Sequence, residues 1–243
     1  MTLREKYGEW GIILGATEGV GKAFCERLAK EGMNVVMVGR REEKLKELGE
    51  ELKNTYEIDY KVVKADFSLP DATDKIFAAT ENLDMGFMAY VACLHSFGKI
   101  QDTPWEKHEA MINVNVVTFM KCFYHYMKIF AAQDRGAVIN VSSMTGISSS
   151  PWNGQYGAGK AFILKMTEAV ACETEKTNVD VEVITLGTTL TPSLLSNLPG
   201  GPQGEAVMKT AQTPEEVVDE AITWDNRYIV PMMTYLTYRL QLV

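Results

Sequence analysis

The sequence predicts one α/β domain built on a doubly wound parallel sheet, and three observations carry that prediction. First, 243 residues at 46% hydrophobic composition can bury a sizeable core within the length that a single α/β domain fills. Second, short apolar runs alternate with longer segments of helical periodicity, which is the pattern of parallel strands joined by crossover helices. Third, a glycine-rich stretch, Gly15 to Gly21, follows the first apolar run. We therefore expect residues 1–243 to form a single domain.

Six segments are predicted to be strands. Their apolar runs are continuous rather than alternating, as expected of strands that are buried on both faces of a sheet. In chain order they are Trp10–Leu14, Val35–Gly39, Tyr60–Ala65, Phe87–Ala92, Ala137–Ser142 and Val181–Thr185. A seventh strand has one candidate, Arg227–Val230, in the short C-terminal stretch that remains.

The helices between these strands are predicted from apolar side chains at helical spacing. Lys22–Lys30 and Glu43–Leu52 each place their apolar side chains on one face, which fits helices packed against a sheet. Trp105–Phe130 is long enough to form one extended helix.

Proline and glycine recur in residues 186–212, where we expect a loop. A loop of this length inside a compact domain usually covers or binds a ligand, so we interpret it as a substrate loop. The alternative is a disordered surface excursion. Its leucines, Leu190, Leu194, Leu195 and Leu198, are more apolar than such an excursion favours.

Charge and hydropathy exclude several classes of partner. The 24 basic and 32 acidic residues leave a net charge of −8, which repels nucleic-acid phosphates, so we expect no nucleic-acid partner. No segment approaches the roughly 18 uninterrupted apolar residues of a membrane span, so we expect no membrane partner. The charged N-terminus, Met1 to Trp10, lacks the layout of a signal peptide.

The cysteines and histidines do not form a metal-binding pattern. The four cysteines, Cys25, Cys93, Cys122 and Cys172, lie far apart, and none belongs to a CxxC pair. The three histidines are scattered. We interpret the cysteines as reduced core thiols of a cytoplasmic protein and expect no metal site.

The glycine-rich stretch reads Gly15-Ala16-Thr17-Glu18-Gly19-Val20-Gly21 and connects a predicted strand to a predicted helix. Glycines let the backbone turn tightly and approach a pyrophosphate, whose charge the helix N-terminus stabilises. This placement favours dinucleotide binding over a simple tight turn.

Two arginines, Arg40 and Arg41, follow the second predicted strand. An NAD-binding protein would place an acidic residue there to bind the ribose hydroxyls. Arginine pairs with a 2′-phosphate instead, so we predict NADP(H) as the cofactor. The alternative is that both arginines are solvated and balance the charges of Glu42 and Glu43. Asp66, after the third strand, accepts a hydrogen bond from adenine or caps the following turn.

Tyr156 and Lys160 are four residues apart, on one face of a predicted helix. A phenol with a pKa of ~10 needs about 3 units of depression, or ~4 kcal/mol, to act as an acid/base near neutrality. An ammonium ~4 Å away supplies about 1 kcal/mol in water but about 4 kcal/mol at an effective dielectric near 20. Ser143 ends the fifth strand, where it can hold a substrate oxygen. Taken one at a time, these residues have simpler interpretations: Tyr156 with Lys160 is more often a surface pair on a helix, and Ser143 is more often the cap of a strand.

Together these motifs resemble the short-chain dehydrogenase/reductase family over nearly the whole chain, from the glycine stretch through Asn140-Val141-Ser142-Ser143 to Tyr156-Gly157-Ala158-Gly159-Lys160. The resemblance implies a single Rossmann domain, NAD(P)-linked carbonyl reduction or alcohol oxidation, and a homo-oligomer, dimer or tetramer, built on Trp105–Phe130 and Phe162–Glu173. It gives catalytic roles to Ser143, Tyr156, Lys160 and Asn115. Asn115 is expected to hold a water near the lysine, and the nearby Asn113 is not expected to take this role.

The resemblance also implies two sets of binding residues. The cofactor is expected to contact Gly15, Thr17, Glu18, Gly19, Val20, Gly21, Arg40, Arg41, Asp66, Phe67, Ala92, Tyr156, Lys160 and Thr189. The substrate is expected to contact His95, Phe97, Ser143, Ser149, Asn153 and Tyr156, although His95 is equally consistent with a structural role.

Some segments depart from the family pattern. Tyr90-Val91-Ala92-Cys93 replaces the usual Asn-Asn-Ala-Gly, which removes polar groups that steady the nearby backbone, and Leu186-Gly187 replaces Pro-Gly. The C-terminal tail, about residues 222–243, is atypical.

More narrowly, Tyr90–Gly98 and Ile147–Tyr156 look like stretches of gut-bacterial 7β-hydroxysteroid dehydrogenases, which interconvert 7-oxo and 7β-hydroxy bile acids with NADP(H). This resemblance implies an oxidoreductase that transfers a hydride between NADP(H) and the 7-position of bile acids. Two alternatives stay open: a reductase of another carbonyl, such as a 3-oxoacyl thioester, and a non-catalytic NADP-binding protein.

Overall fold

The computed structural model describes residues 1–196 and 207–222. Within them, six parallel strands form one sheet in the order β3-β2-β1-β4-β5-β6. The strands are β1 (Trp10–Leu14), β2 (Asn34–Gly39), β3 (Tyr60–Lys64), β4 (Met85–Tyr90), β5 (Gly136–Ser143) and β6 (Val179–Leu186). All six strands predicted from the sequence are present, with ends shifted by up to two residues.

Helices connect successive strands and cover both faces of the sheet. They are α1 (Leu3–Tyr7), α2 (Gly19–Lys30), α3 (Glu42–Tyr56), α4 (Ala72–Thr80), α5 (Trp105–Ile112), α6 (Phe119–Gln133), α7 (Gly154–Glu173), α8 (Pro192–Leu195) and α9 (Pro214–Ile222). One hydrophobic cluster packs α2, α3 and α9 on one face, and a second packs α4, α6 and α7 on the other. The doubly wound α/β prediction is confirmed.

The predicted extended helix over residues 105–130 is interrupted. A π-helical segment, Asn113–Thr118, separates α5 from α6. Such a segment shifts the helical register and often lies at a functional site. The prediction of one helix rested on the length of the segment, and length does not reveal a local change of register. The short helices α1 and α4 were not predicted from the sequence, because their apolar patterns are too short to be distinctive.

The strand order places a topological switch between β1 and β4. The chain runs outward to β3 from one side of this point and to β6 from the other. Because all strands are parallel, their carboxyl ends share one edge, and ligands of such sheets bind in the crevice outside this edge. The segments after all six strands therefore border one cleft, which we call the carboxyl-edge cleft.

Backbone hydrogen bonds hold the two ends of the predicted substrate loop together. Leu190 donates its backbone N–H to the carbonyl of Gln212 at 2.9 Å, and Gln212 donates to Thr188 at 3.1 Å. Residues 197–206 of the loop and the tail from residue 223, with the seventh-strand candidate Arg227–Val230, lie outside the described residues. In the described part of the chain, no helix has the length and apolar character to cross a bilayer.

Candidate active site

The glycine-rich stretch forms the turn between β1 and α2, on the floor of the carboxyl-edge cleft. Gly15 has φ +102°, and a Cβ built on it would lie 2.6 Å from the backbone nitrogen of Ala92. Only glycine fits both this conformation and this approach. Ala92 also donates its N–H to Leu14 at 2.7 Å, so the segments after β1 and β4 are held together at the switch point.

The two arginines after β2 face this turn. Arg41 forms a salt bridge with Glu18 at 2.7 Å, and not with Glu42 or Glu43. The pair joins the end of β2 to the first turn of α2, because Glu18 directly precedes that helix. Arg40 is exposed, and its charge is felt by Asp66. The arginines thus lie where a group bound at the glycine turn would meet positive charge.

The structure gives Asp66 a local role in the turn after β3. Its Oδ1 accepts hydrogen bonds from the Ser68 backbone N–H at 3.0 Å and from the Ser68 hydroxyl at 2.7 Å. Partial burial raises the pKa of Asp66, but these hydrogen bonds and the Arg40 charge outweigh it and hold the pKa below its usual value. Phe67 is buried, with its ring edge-on to Tyr90 at 6.1 Å, so its side chain belongs to the core.

Lys160 lies in the first half of α7 and is 2% exposed. Its ammonium donates to the carbonyl of Val141 at 2.7 Å and lies 5.7 Å from the ring centroid of Tyr156. Burial lowers the pKa of Lys160, while negative charge at Cys93 opposes that shift. The sequence prediction that Tyr156 and Lys160 share one face is confirmed, and the ammonium is partly desolvated, as an effective charge pair needs.

Adjacent serines at the end of β5 divide between core and cleft. Ser142 is buried and donates its hydroxyl to the carbonyl of Lys160 at 2.8 Å. The Ser143 hydroxyl lies on the other side of the strand, accepts from the Thr145 hydroxyl at 3.0 Å and is near enough to Tyr156 to lower the pKa of its phenol. The structure therefore brings Ser143, and not Ser142, to the phenol.

In the protein alone, the pKa of Tyr156 lies above its usual value. Burial is the main cause, negative charge at Cys93 adds to it, and the hydrogen bond with Ser143 lowers it. The Lys160 ammonium at its observed distance does not overcome this burial. Activation of the phenol near neutral pH therefore requires more positive charge in the cleft than the described side chains supply.

Asn115 lies in the π-helical segment and holds the chain after β4. Its Nδ2 donates to the carbonyl of Leu94 at 2.7 Å, and its Oδ1 accepts from the Leu94 N–H at 3.0 Å. A Cβ at Gly159 would lie 2.9 Å from the Asn115 Cβ, so glycine lets α7 approach this segment closely. Asn113 instead donates to the Ser68 carbonyl at 3.1 Å.

Tyr90, where the family usually has asparagine, supplies its own link to the π-helical segment. Its hydroxyl donates to the carbonyl of Val114 at 2.7 Å, and the ring is fully buried. The departure from Asn-Asn-Ala-Gly removes two amides, and the phenol of Tyr90 supplies a different polar link to the neighbouring helical segment.

The predicted substrate residues surround the mouth of the cleft. His95 lies between two rings, with its centroid 5.7 Å from Phe97 and 5.9 Å from Tyr156. Ser149 and Phe97 are exposed. Asn153 is buried, and its Oδ1 has no hydrogen-bond partner in residues 1–196 and 207–222. The Gly98 N–H donates to the Trp152 carbonyl at 2.9 Å, which ties the two walls of the mouth together.

On the far side, Thr189 follows β6 and bridges to Gln212. Its hydroxyl is buried and unpartnered within the described chain. Among the same residues, no group of three or more His, Cys, Asp or Glu side chains could hold a metal ion.

One residue near the site was missed in the sequence. Cys93 is exposed, as is Cys172, so the interpretation of all four cysteines as core thiols is wrong for these two. Burial raises the pKa of Cys93, but the charge of Lys160 and the neighbouring His95 outweigh it and hold the pKa below its usual value. The position of Cys93 two residues before His95, directly after a strand, was the available signal.

Comparisons with known proteins agree with this geometry. A family model described as short chain dehydrogenase matches residues 9–198. A 7β-hydroxysteroid dehydrogenase of Collinsella aerofaciens is 84% identical over 221 residues, covering 91% of this chain and 84% of the relative. A 7β-hydroxysteroid dehydrogenase of Clostridium sardiniense is 44% identical over 220 residues, covering 90% of this chain and 83% of that relative.

A solved structure from work on the stereoselectivity of 7β-hydroxysteroid dehydrogenase superimposes with a TM-score of 0.90 at 83% sequence identity. The match covers 92% of this chain and 86% of the other. The fold therefore coincides with that of a known structure over 92% of this chain.

Proposed function

The chain belongs to the short-chain dehydrogenase family and is an oxidoreductase, and we propose that it transfers a hydride between NADP(H) and the 7-position of bile acids, interconverting 7-oxo and 7β-hydroxy forms. The observation that carries this proposal is the 84% identity to the Collinsella aerofaciens 7β-hydroxysteroid dehydrogenase. At this identity, the residues around the cleft are expected to select the same class of substrate.

The described residues fit NADP(H) at the carboxyl-edge cleft. Backbone N–H groups at the start of α2, directly after the glycine turn, suit a pyrophosphate. Arg40 and Arg41 suit a 2′-phosphate, and the Glu18 salt bridge fixes Arg41 beside the glycine turn. The unpartnered Thr189 hydroxyl would meet the other end of the molecule.

The catalytic side chains divide the proton chemistry among them. Bound NADP(H) supplies or accepts the hydride. Ser143 holds the substrate oxygen, and Tyr156 donates the proton to this oxygen on reduction or removes it on oxidation. Lys160 stabilises the phenolate form of Tyr156. Asn115 fixes the backbone at Leu94 and, as the family resemblance implies, holds a water that relays protons to Lys160.

The mouth of the cleft supports a rigid, largely apolar substrate. Phe97 and Trp152 expose aromatic surface at 69% and 62%, and they lie on the two tied walls. The buried, unpartnered Asn153 Oδ1 accepts a hydrogen bond from a substrate hydroxyl. Such a pocket, apolar with a few placed polar groups, is typical of sites for small ligands.

A panel of carbonyl substrates tests the proposal. NADPH consumption is measured with bile acids carrying an oxo group at position 7 or elsewhere, and with a 3-oxoacyl thioester. Turnover confined to 7-oxo bile acids, with a 7β-hydroxy product by chromatography, is expected. Turnover of the thioester alone supports the alternative reductase, and NADPH binding without any turnover supports a non-catalytic protein. Either result overturns the proposal.

The cofactor is tested by changing its predicted phosphate contacts. Arg40→Asp combined with Arg41→Ala is expected to move the NADPH-to-NADH ratio of kcat/KM by about 100-fold, because two charge-assisted contacts are lost and an acid is gained. Arg135→Ala, which removes a surface arginine paired with Asp84, is the matched control and should leave the ratio unchanged. An unchanged ratio in the double variant refutes the assignment.

We also propose a homo-oligomer and a cytoplasmic location. Trp105, Ile112, Val117 and Tyr124 expose apolar surface along α5, the π-helical segment and α6, which supports a subunit contact there. Light scattering should give at least a dimer, and Tyr124→Glu should weaken it. All four cysteines are free thiols, which fits a reducing compartment.

A further inference from the structure

The short helical turn Met144–Gly146 directly follows β5 and packs closely against α7. A Cβ on Gly157 would lie 2.7 Å from the carbonyl oxygen of Thr145, and a Cβ on Gly146 would lie 2.8 Å from the backbone carbon of Lys160. A side chain at either glycine would push the turn and the helix apart. The turn is therefore held against the first half of α7, which carries the proposed catalytic side chains.

Thr145 holds the Ser143 side chain from within this turn. The Thr145 hydroxyl donates to the Ser143 Oγ at 3.0 Å, and the Thr145 backbone N–H donates to the same oxygen at 3.3 Å. A serine hydroxyl has two positions that accept hydrogen bonds and one proton to donate. One neighbour therefore fills both acceptor positions of Ser143, and only the proton of Ser143 is left for another partner.

The influence of Ser143 on Tyr156 has the sign expected of a donor. Burial is the main cause of the raised pKa of Tyr156, and Ser143 acts against it. A hydrogen bond donated to the phenolate oxygen lowers the pKa of a phenol, because it stabilises the charged form. A serine that accepted from the phenol would instead stabilise the neutral form and raise this pKa.

We propose that Thr145 is a positioning residue for the reaction, because it keeps Ser143 a hydrogen-bond donor toward the substrate oxygen. A carbonyl oxygen only accepts hydrogen bonds, so a serine hydroxyl that could also turn to accept would be misoriented for part of the time. A donor that is already oriented costs no reorganisation when charge develops on the oxygen. This inference rests on the proposed roles of Ser143 and Tyr156.

Thr145→Val tests the hydroxyl, because it keeps the branched shape and the backbone N–H but frees one acceptor position of Ser143. In NADPH-dependent reduction of a 7-oxo bile acid, kcat should fall about five- to tenfold and KM should change by less than about twofold, since orientation matters most in the transition state. Thr145→Ser keeps the hydroxyl and should hold kcat within about twofold of the parent. A kcat for Thr145→Val within about twofold of the parent overturns the proposal.

Thr174→Val is the matched control for loss of a threonine hydroxyl. Thr174 is also partly buried, and its hydroxyl donates to the carbonyls of Val170 and Ala171 at the far end of α7. This variant should keep the parent kcat, and urea unfolding should show a similar, small loss of stability in Thr174→Val and Thr145→Val. An equal fall of kcat in both variants contradicts a specific role for Thr145.

A double-variant cycle tests whether Thr145 acts through Ser143. Ser143→Ala alone should lower kcat about 100-fold. Thr145→Val added to Ser143→Ala should lower kcat by less than about twofold more, because the oxygen that Thr145 holds is already gone. A further loss as large as in the parent background overturns the proposal. An unchanged kcat in Ser143→Ala contradicts instead the role of Ser143 in the proposed function, so the two failures are distinguishable.

The pH dependence of alcohol oxidation is a readout that a merely structural role would not move. Oxidation needs the phenolate of Tyr156 as the base, and in Thr145→Val the freed Ser143 can stabilise the neutral phenol instead. With NADP⁺ and a 7β-hydroxy bile acid, the acidic limb of the kcat profile should move to higher pH by about 0.5 to 1 unit. Thr145→Ser should keep the parent profile.

The other titratable groups that face Tyr156 stay the same in these variants; they are Lys160 on its own helix and Cys93 and His95 after β4. A shift of the profile therefore reports the direction of the hydrogen bond from Ser143. A Thr145→Val profile that coincides with the parent's overturns the proposal.

Discussion

The carboxyl-edge cleft and the outer edge of the sheet at β6 each bury an ionisable side chain, yet they treat it differently. In the cleft, Lys160 is 2% exposed and its ammonium donates to the Val141 carbonyl at 2.7 Å. At the outer edge, Glu182 is 7% exposed and its Oε1 has no hydrogen-bond partner within residues 1–196 and 207–222. The buried ammonium therefore has a hydrogen-bond partner, whereas one oxygen of the buried carboxyl has none among the described residues.

The electrostatics follow this difference. Burial, together with the charges of Asp180 and Glu220, raises the pKa of Glu182 to about 8. A cavity of about 20 Å³ adjoins it, lined also by Thr185, whose buried hydroxyl is likewise unpartnered in the described chain. Lys160 has a carbonyl partner and the opposing charge of Cys93. Polar groups are thus fixed where chemistry takes place, and the β6 edge carries a cost in stability.

The largest effect is expected at Tyr156, where a substitution should lower kcat without lowering stability. Tyr156→Phe removes the proton donor from the cleft and should lower kcat by about 1,000-fold, within the range for losing a general acid/base. The free energy of unfolding should stay close to that of the parent, because the ring remains. Steady-state kinetics and urea unfolding measure both quantities. Tyr124→Phe, on an exposed side chain, is the control, and kcat equal to the parent's in Tyr156→Phe contradicts the catalytic role.

Lys160→Met tests whether the buried ammonium serves catalysis rather than stability. We expect kcat to fall about 100-fold, since the phenolate of Tyr156 loses its neighbouring cation. The free energy of unfolding should be unchanged or higher, because burial disfavours the ammonium in the folded state and methionine fills a similar volume. Urea unfolding measures it. A loss of more than about 3 kcal/mol would show instead that the ammonium is a structural group.

Glu182→Gln, at the β6 edge, should change the free energy of unfolding and leave kcat unaltered. The folded pKa of about 8 lies above the 4.5 of an exposed glutamate, so the unfolded chain loses this proton first and stability falls as pH rises from about 4.5 to about 8. The variant should therefore gain up to about 5 kcal/mol above pH 8 and nothing below pH 4.5, with kcat unaltered. Urea unfolding across this pH range measures it, and a pH-independent difference contradicts the assigned pKa.

The smallest effect is expected at the ion pair that joins α9 to α2. Arg27 and Asp219 are 2.6 Å apart, but Asp219 is largely exposed. Asp219→Asn should cost less than about 0.5 kcal/mol, and added salt should remove the difference, because exposed ion pairs are screened. Urea unfolding at low and high salt measures it. A loss several times larger would indicate that helix docking at the β6 edge depends on this contact.

Much of the fold followed from local pattern. The apolar runs located all six strands, and β2 and β4 are buried along their whole length, as expected of strands inside a parallel sheet. The expectation of burial on both faces is wrong for β3, whose Lys61 and Lys64 are exposed at the edge of the sheet. Strand ends were less certain, because a boundary depends on the hydrogen-bond partner: β4 ends at Tyr90, whereas the apolar run continues to Ala92. The π-helical segment was not predicted, because the prediction of one helix rested on the length of the segment.

The candidate site was predictable only in its residue types and their order. Ser143, Tyr156 and Lys160 were recognisable because the chemistry needs an alcohol, a phenol and an ammonium. The partners of Arg41 and Asp66 were not, since the sequence allowed Glu42 and Glu43 for Arg41 where the fold chose Glu18. Cys93 had no distinctive neighbour in the sequence except His95.

The sequence by itself determined the parallel sheet, the glycine turn at the switch point and the residues that can carry proton transfer, because these depend on local backbone geometry and side-chain chemistry. Only the tertiary structure decided which groups share an electrostatic environment. It placed Lys160 against the Val141 carbonyl and within reach of the Cys93 charge. It buried Glu182 and left its Oε1 without a hydrogen-bond partner among the described residues. Charge interactions depend on distance and burial, which arise only when segments far apart in the chain meet.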